Sequence, residues 1–309
     1  MLARLRSLIC GVLLGVFGAA AVQATTVVIV SSERSAAYSE AAQALVGELE
    51  RGGLSRPEIL QVTVAELSAA GPLAPRLFVG LGTEAANVLA KAASTAPILC
   101  ALLPRHSFEL LLNSGRKSSS QLSALYLDQP LSRQLELIHL ALPKARHIGV
   151  LWGPDSKLQA SALKAQLQVR GLDLIEASVE HNELLFPGIR RVVEDADVLL
   201  ALPDPLVYNS HSIQNILLTS FRAKVPMVAF SPAYVRAGAL LALYVTPTQV
   251  GLQAANIARG VLQGKALSAM PIYSQDFSVS VNEHVARSLG LSLDADILRE
   301  QLRRREGAP

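Results

Sequence analysis

The chain lacks most of what a reactive or charged surface would need. Of its 309 residues two are cysteine and one is tryptophan, and 5% are aromatic. Cys10 falls in the N-terminal leader described below, so Cys100 alone remains, no internal disulfide can form, and the fold must rest on its apolar core. Charge of one sign is missing as well. The 28 Lys+Arg face 25 Asp+Glu, and setting aside Arg4 and Arg6 of the leader leaves 26 against 25. Such a balance gives no basic field to attract nucleic acid or an anionic membrane. Beyond the leader no apolar run reaches the ~20 residues of a membrane span. There is no GxSxG, HExxH or P-loop. Six histidines, at 106, 139, 147, 181, 211 and 284, show no metal-ligand spacing. An enzyme is therefore disfavoured, with no catalytic residue, metal site or cofactor expected.

What is present begins with residues 1–24. Arg4 and Arg6 are followed by an apolar, Gly- and Ala-rich run from Leu8 to Val22, then by Val22, Gln23 and Ala24, which place small residues at the cleavage positions. The run is short for a membrane anchor. Ser7, Leu8 and Ile9 offer no small residue beside Cys10, so no lipoprotein site is read. The expectation is a cleaved signal peptide and a periplasmic protein.

From residue 25 short apolar runs alternate with amphipathic segments. Strands are expected at 25–30, 59–64, 76–81 and 97–103, with helices at 36–49 and 85–93. Residues 106–121, with a polar Asn-Ser-Gly-Arg-Lys-Ser stretch, break the rhythm and read as a loop. A second half follows, with helices at 130–142, 158–168 and 182–195 and strands at 147–152 and 172–179. Its most informative stretch is 195–243. An apolar strand at 198–202 is stopped by Pro203, Asp204 and Pro205, a helix runs through Ile213, Ile216, Leu217 and Phe221, and a strand at 227–230 ends at Ser231 and Pro232. A helix at 248–263, a strand at 276–281, a helix at 282–289 and a frayed charged tail at 299–309 complete the chain. The alternation implies α/β architecture with parallel, doubly wound sheets, and the length suggests two domains.

In open α/β sheets ligands bind beyond the carboxyl ends of the strands. The polar residues there are Ser32, the helix start Gly82, Thr83 and Glu84, then Ser156, Asp204 and Ser231. Exposed N–H groups at a helix start suit an anion. Tyr126, Trp152 and Tyr208 are candidates for an apolar wall. Four of them also have a bland reading: Thr83 and Asp204 as helix caps, Ser231 as a strand end, Trp152 as a core residue under a loop.

Several segments resemble one family. QLELIHLALPKARHIGVLWGPDS, ADVLLALPDP, AKVPMVAFSPAYVRAGALLAL, GLQAANIARGVLQGK and FSVSVNEHVARSLGL, with GLGTEAANVLA in the first half, are similar to the periplasmic substrate-binding proteins of ABC importers, specifically the family with tryptophan- and tyrosine-binding members. The resemblance implies the type I periplasmic binding protein fold: two Rossmann-like lobes joined by about three crossovers, closing over a ligand in the cleft. It assigns 25–122 plus 247–274 to the first lobe and 123–246 plus 275–309 to the second. By the same resemblance Gly82, Thr83 and Glu84 take a ligand carboxylate, Asp204 pairs with an amine, and Ser156 matches a binding serine. On that reading Asp204→Ala is expected to weaken binding at least tenfold, about 1.4 kcal/mol, and to leave the fold intact. Leu103, Pro104, Arg105 and His106 depart from the family's Val-Thr-Asp-Pro-like turn, so the amino-acid ligand is not carried over.

The implied partners are a small molecule, amino acid-like at the nearest, and an ABC permease, with no nucleic acid and no membrane insertion after leader removal. The alternative is a periplasmic module serving a sensor kinase or receptor. A permease and an ATPase encoded beside the gene would favour the first. A repressor of the same fold would need a DNA-binding segment where the leader stands.

Overall fold

Two six-stranded sheets, each covered on both faces, organise the chain. The structure is a computed structural model that describes residues 25–92, 94–114 and 121–307; the expected leader lies outside the described residues. The first half runs β1 (Val27–Ser31), α1 (Ala36–Arg51), β2 (Ile59–Thr63), α2 (Val64–Leu67), β3 (Leu77–Leu81), α3 (Thr83–Lys91), β4 (Ile98–Leu103), α4 (Arg105–Asn113) and β5 (Leu122–Tyr126). The second runs α5 (Leu131–Ala141), β6 (His147–Trp152), α6 (Ala160–Val169), β7 (Asp173–Ser178), α7 (Leu185–Asp195), β8 (Val198–Leu200), α8 (Ile213–Arg222), β9 (Met227–Ala229), α9 (Pro232–Ala237) and β10 (Leu241–Tyr244). Then come α10 (Pro247–Leu262), β11 (Ile272–Tyr273), β12 (Ser278–Val281), α11 (Glu283–Ser288) and α12 (Ala295–Glu306).

The sheets share one strand order. The first reads β2-β1-β3-β4-β5-β11 and the second β7-β6-β8-β9-β10-β12. Every pairing is parallel except β10 with β12. Parallel strands covered on both faces must be apolar throughout, as β3, β4 and β8 are and as β1 is up to its last residue, Ser31. The result is a two-lobed α/β fold that the chain crosses three times: between β5 and α5, between β10 and α10, and between β11 and β12. Helix α10 returns to the first lobe, where Val250, Ala254, Ala255 and Ala258 share a core with Ala41, Leu45 and Val46 of α1. Gly251 permits that approach, because a Cβ there would meet the Ala41 carbonyl and the Ala44 side chain.

One buried side chain laces the crossovers. Arg133, 7% exposed, donates from Nη1 to Gln129 Oε1 (2.7 Å) and to the Ser274 carbonyl (3.0 Å). Its Nε and Nη2 reach the two Glu306 oxygens at 2.5 and 3.0 Å, and its guanidinium lies 4.3 Å from the Phe277 ring centroid. Gln253, within α10, ties that helix to the third crossover, accepting from Ser274 Oγ (2.8 Å) and Gln275 N (3.0 Å).

Several sequence expectations change. The first part of residues 106–121, read as loop, belongs to α4, which buries only Phe108 and Leu111 and so shows a weak periodicity. The stretch after it forms β5, paired with β4, so a boundary between 122 and 123 falls inside a strand of the first sheet. The loop after Ser231 contains α9, and the tail read as frayed is α12, seated by Leu298 and Leu302. Among the described residues no helix is long and apolar enough to cross a membrane.

Candidate functional site

The strand ends of the two lobes meet side-chain oxygens in different ways. In the first lobe Ser32, just after β1, donates to the Leu81 carbonyl (3.1 Å) and accepts from Ala85 N (3.0 Å). It thereby caps the third amide of α3 from a neighbouring strand. Gly82, at φ 93°, makes the turn, and a Cβ there would collide with Tyr38 Oη and Ser32 Oγ. The N–H groups of Thr83 and Glu84 find no acceptor among the described residues. Thr83 is half-buried and Glu84 exposed. An open pair of amides at a helix start is a ready acceptor-binding position.

In the second lobe the corresponding oxygens are fully engaged. Asp204, 3% exposed, follows β8. Its Oδ2 accepts from Asp155 N (3.0 Å), Ser156 N (2.9 Å) and Ser156 Oγ (3.0 Å), and its Oδ1 accepts from Leu206 N (3.0 Å). Ser156, wholly buried, also accepts from Gly153 N at 2.9 Å. A Cβ on Gly153 would overlap the Asp204 carboxylate. The aspartate therefore caps the turn at Ser156–Gln159 and its own loop, so it holds the fold rather than standing ready for an amine. Ser231 caps α9 through Ala233 N at 3.3 Å.

The three aromatic candidates are core residues. Trp152, 2% exposed, donates its indole N–H to Glu176 Oε2 at 2.7 Å. Tyr126 stacks edge-on against Phe108 and Tyr273, with centroids 6.1 and 5.3 Å away, and burial pushes its phenol up to about 12. Tyr208 packs edge-on against Phe230 at 5.9 Å; burial raises its phenol too, and the buried hydroxyl has no partner among the described residues.

A cavity of about 210 Å³ opens where both sheets end. Pro104, Asp128 and Gln129 line it from the side of β4 and β5; Leu202, Phe230 and Leu243 line it from the side of β8, β9 and β10. Nearby, His106 Nε2 of α4 lies 3.4 Å from Asp155 Oδ1, a contact between the lobes that is an ion pair when His106 is protonated. Of the sequence candidates the structure brings Ser32, Gly82 and Thr83 together, and separately Ser156 and Asp204.

Sequence reading missed Asp128 and Gln129. Asp128 Oδ2 accepts from Arg105 N at 2.6 Å, while the Arg105 guanidinium is turned to Glu109 (2.6 Å) and Tyr273 Oη (3.0 Å). Burial pushes the Asp128 carboxyl above the ordinary range, against the pull of that amide. The signal was an Asp-Gln-Pro after a strand, but with β5 unread no strand end was there to direct attention to it.

Comparison with known proteins agrees with this architecture. The family model described as ABC transporter substrate binding protein matches residues 56–303, and the chain belongs to that family. It is a family of binding proteins, not enzymes, typically periplasmic or extracellular. A tyrosine-binding protein of Clostridioides difficile (strain R20291) is 24% identical over 225 residues, 71% of this chain. The match spans 65% of that relative's length. The ligand-free, open structure of a substrate-binding protein with adhesive properties from Clostridium difficile has a TM-score of 0.72 at 23% identity, covering 88% of this chain and 97% of that one. An ABC domain in complex with L-Trp from Streptococcus pneumonia has a TM-score of 0.63 at 18% identity, covering 90% and 98%. These structures establish the fold, that of the type I periplasmic binding proteins.

Proposed function

We propose that this protein captures a small molecule between its two lobes and delivers it to an ABC permease in the inner membrane. The observation that carries the reading is the cavity at the strand ends, walled by residues of both sheets and spanned nearby by His106 and Asp155. Three crossovers, the first joined to the third through Arg133 and the third held to α10 by Gln253, suit a hinge. The open amides of Thr83 and Glu84, with Ser32 fixing the turn, would hold an acceptor end of the solute. Its place of action would be the periplasm, reached through the leader in 1–24. The relatives named for tyrosine and tryptophan make an amino acid-like solute the first to try.

The test is a thermal-shift screen against amino acids, amines, purines, sugars and short peptides. A solute at 100 times its dissociation constant adds about 2.7 kcal/mol of stability. A hit confined to one chemical class supports capture of that class. No hit across the panel sinks the reading. It would favour a module that serves a receptor or sensor kinase.

A further inference from the structure

The cavity is apolar apart from Asp128, Gln129, Gln134 and Gln159. At about 210 Å³ it has room for several waters. Its floor is apolar, with Leu202, Pro203, Phe230 and Leu243, and among the described residues no lysine, arginine or histidine lines it. Its one carboxylate is Asp128, which forms no ion pair among the described residues and accepts the Arg105 amide through one oxygen, Oδ2. Burial works against its charge, and the nearest guanidinium, that of Arg105, is engaged by Glu109 and Tyr273.

Beside it Gln129, 5% exposed, has a fixed orientation. Its Oε1 accepts from Arg133 Nη1 at 2.7 Å, so its amide Nε2 faces the other way, where it is buried and has no acceptor among the described residues. A half-buried carboxylate without a cationic partner and a buried amide N–H without an acceptor both favour a ligand that supplies what they lack. One ligand answers both.

We infer that this cavity is an amine subsite: Asp128 receives an ammonium or amine N–H, Gln129 gives its free amide N–H to an acceptor atom on the same molecule, and the Leu202, Phe230 and Leu243 floor takes an apolar body. Asp204, which the sequence offered for that role, is already saturated. This assignment rests on the solute-capture reading, and it names the end of the solute that this chain reads by charge.

The experiment titrates the purified protein with three probes of similar size, tyramine, phenethylamine and 3-phenylpropionate, by calorimetry, and repeats the titrations on Asp128→Asn and Gln129→Met. Small-angle scattering on the same samples follows the lobes. The expected result is that both amines bind at least tenfold tighter than the carboxylate. Asp128→Asn should lose that preference while melting no lower than the wild type. Gln129→Met should weaken tyramine, which carries an acceptor hydroxyl, more than phenethylamine. The proposal is overturned if 3-phenylpropionate binds as well as the amines, if neither amine binds, or if Asp128→Asn binds them unchanged. The two readings can fail separately. Lobe closure by any solute with Asp128→Asn unaffected removes the amine subsite and keeps solute capture. Amine binding that depends on Asp128 without closure keeps the subsite and removes capture by closure.

Discussion

The two lobes solve the same local problem with opposite outcomes. Each has a side-chain oxygen, delivered from a strand end, that caps the start of a helical turn. In the first lobe Ser32 takes only the Ala85 amide and leaves Thr83 and Glu84 without acceptors. In the second Asp204 takes the amides of Asp155 and Ser156 and the Ser156 hydroxyl as well. A neutral hydroxyl with one acceptor role leaves a helix start open to a ligand. A buried carboxylate with two oxygens closes it. Position beyond a strand's carboxyl end is thus insufficient to make a binding residue; what decides is how many donors the chain itself supplies.

The largest effect should come from removing the closed cap. Asp204→Ala would leave three backbone amides and a hydroxyl without their acceptor, an expected loss of about 3 kcal/mol read from urea unfolding. A stability unchanged within error would break the comparison and return Asp204 to the candidate binding residues. The open cap should matter less. Ser32→Ala removes one acceptor from α3, with an expected loss of about 1 kcal/mol, and it should also weaken solute binding if the Thr83 turn is used. A third test concerns Tyr208, whose hydroxyl is buried without a partner. Tyr208→Phe should leave stability unchanged or raise it by up to about 1 kcal/mol, since an unsatisfied polar group is removed. A clear loss would reveal a partner for that hydroxyl.

The smallest effect is one of pH. The Asp128 carboxyl lies above its unfolded value because of burial. A carboxyl raised on folding contributes stability that is present below the unfolded pKa, roughly 3.9, and is lost as pH rises through the folded one. Asp128→Asn should therefore gain on the wild type as the pH is raised from about 3.5 to 7. Parallel curves for the two proteins would show that Asp128 is as comfortable folded as unfolded.

Most of the fold was legible because parallel strands covered on both faces are continuous apolar runs. The strands at 27–31, 77–81, 98–103 and 147–152 stand out for that reason. The helices missed were those with little to bury. Helix α12 is seated by Leu298 and Leu302 in an otherwise charged segment, and α4 by Phe108 and Leu111. Missing α4 hid β5, and missing β5 hid Asp128 and Gln129. The candidate site was legible as a set of strand ends. Asp204's engagement was not, because its partner Ser156 lies 48 residues earlier in the chain and nothing local links them.

The most direct test of solute capture is small-angle scattering of the protein with and without the solute that the thermal screen selects. The account predicts a smaller radius of gyration on saturation, as the lobes close about the crossovers at Arg133. A solute that binds tightly and leaves the radius unchanged would contradict capture between closing lobes.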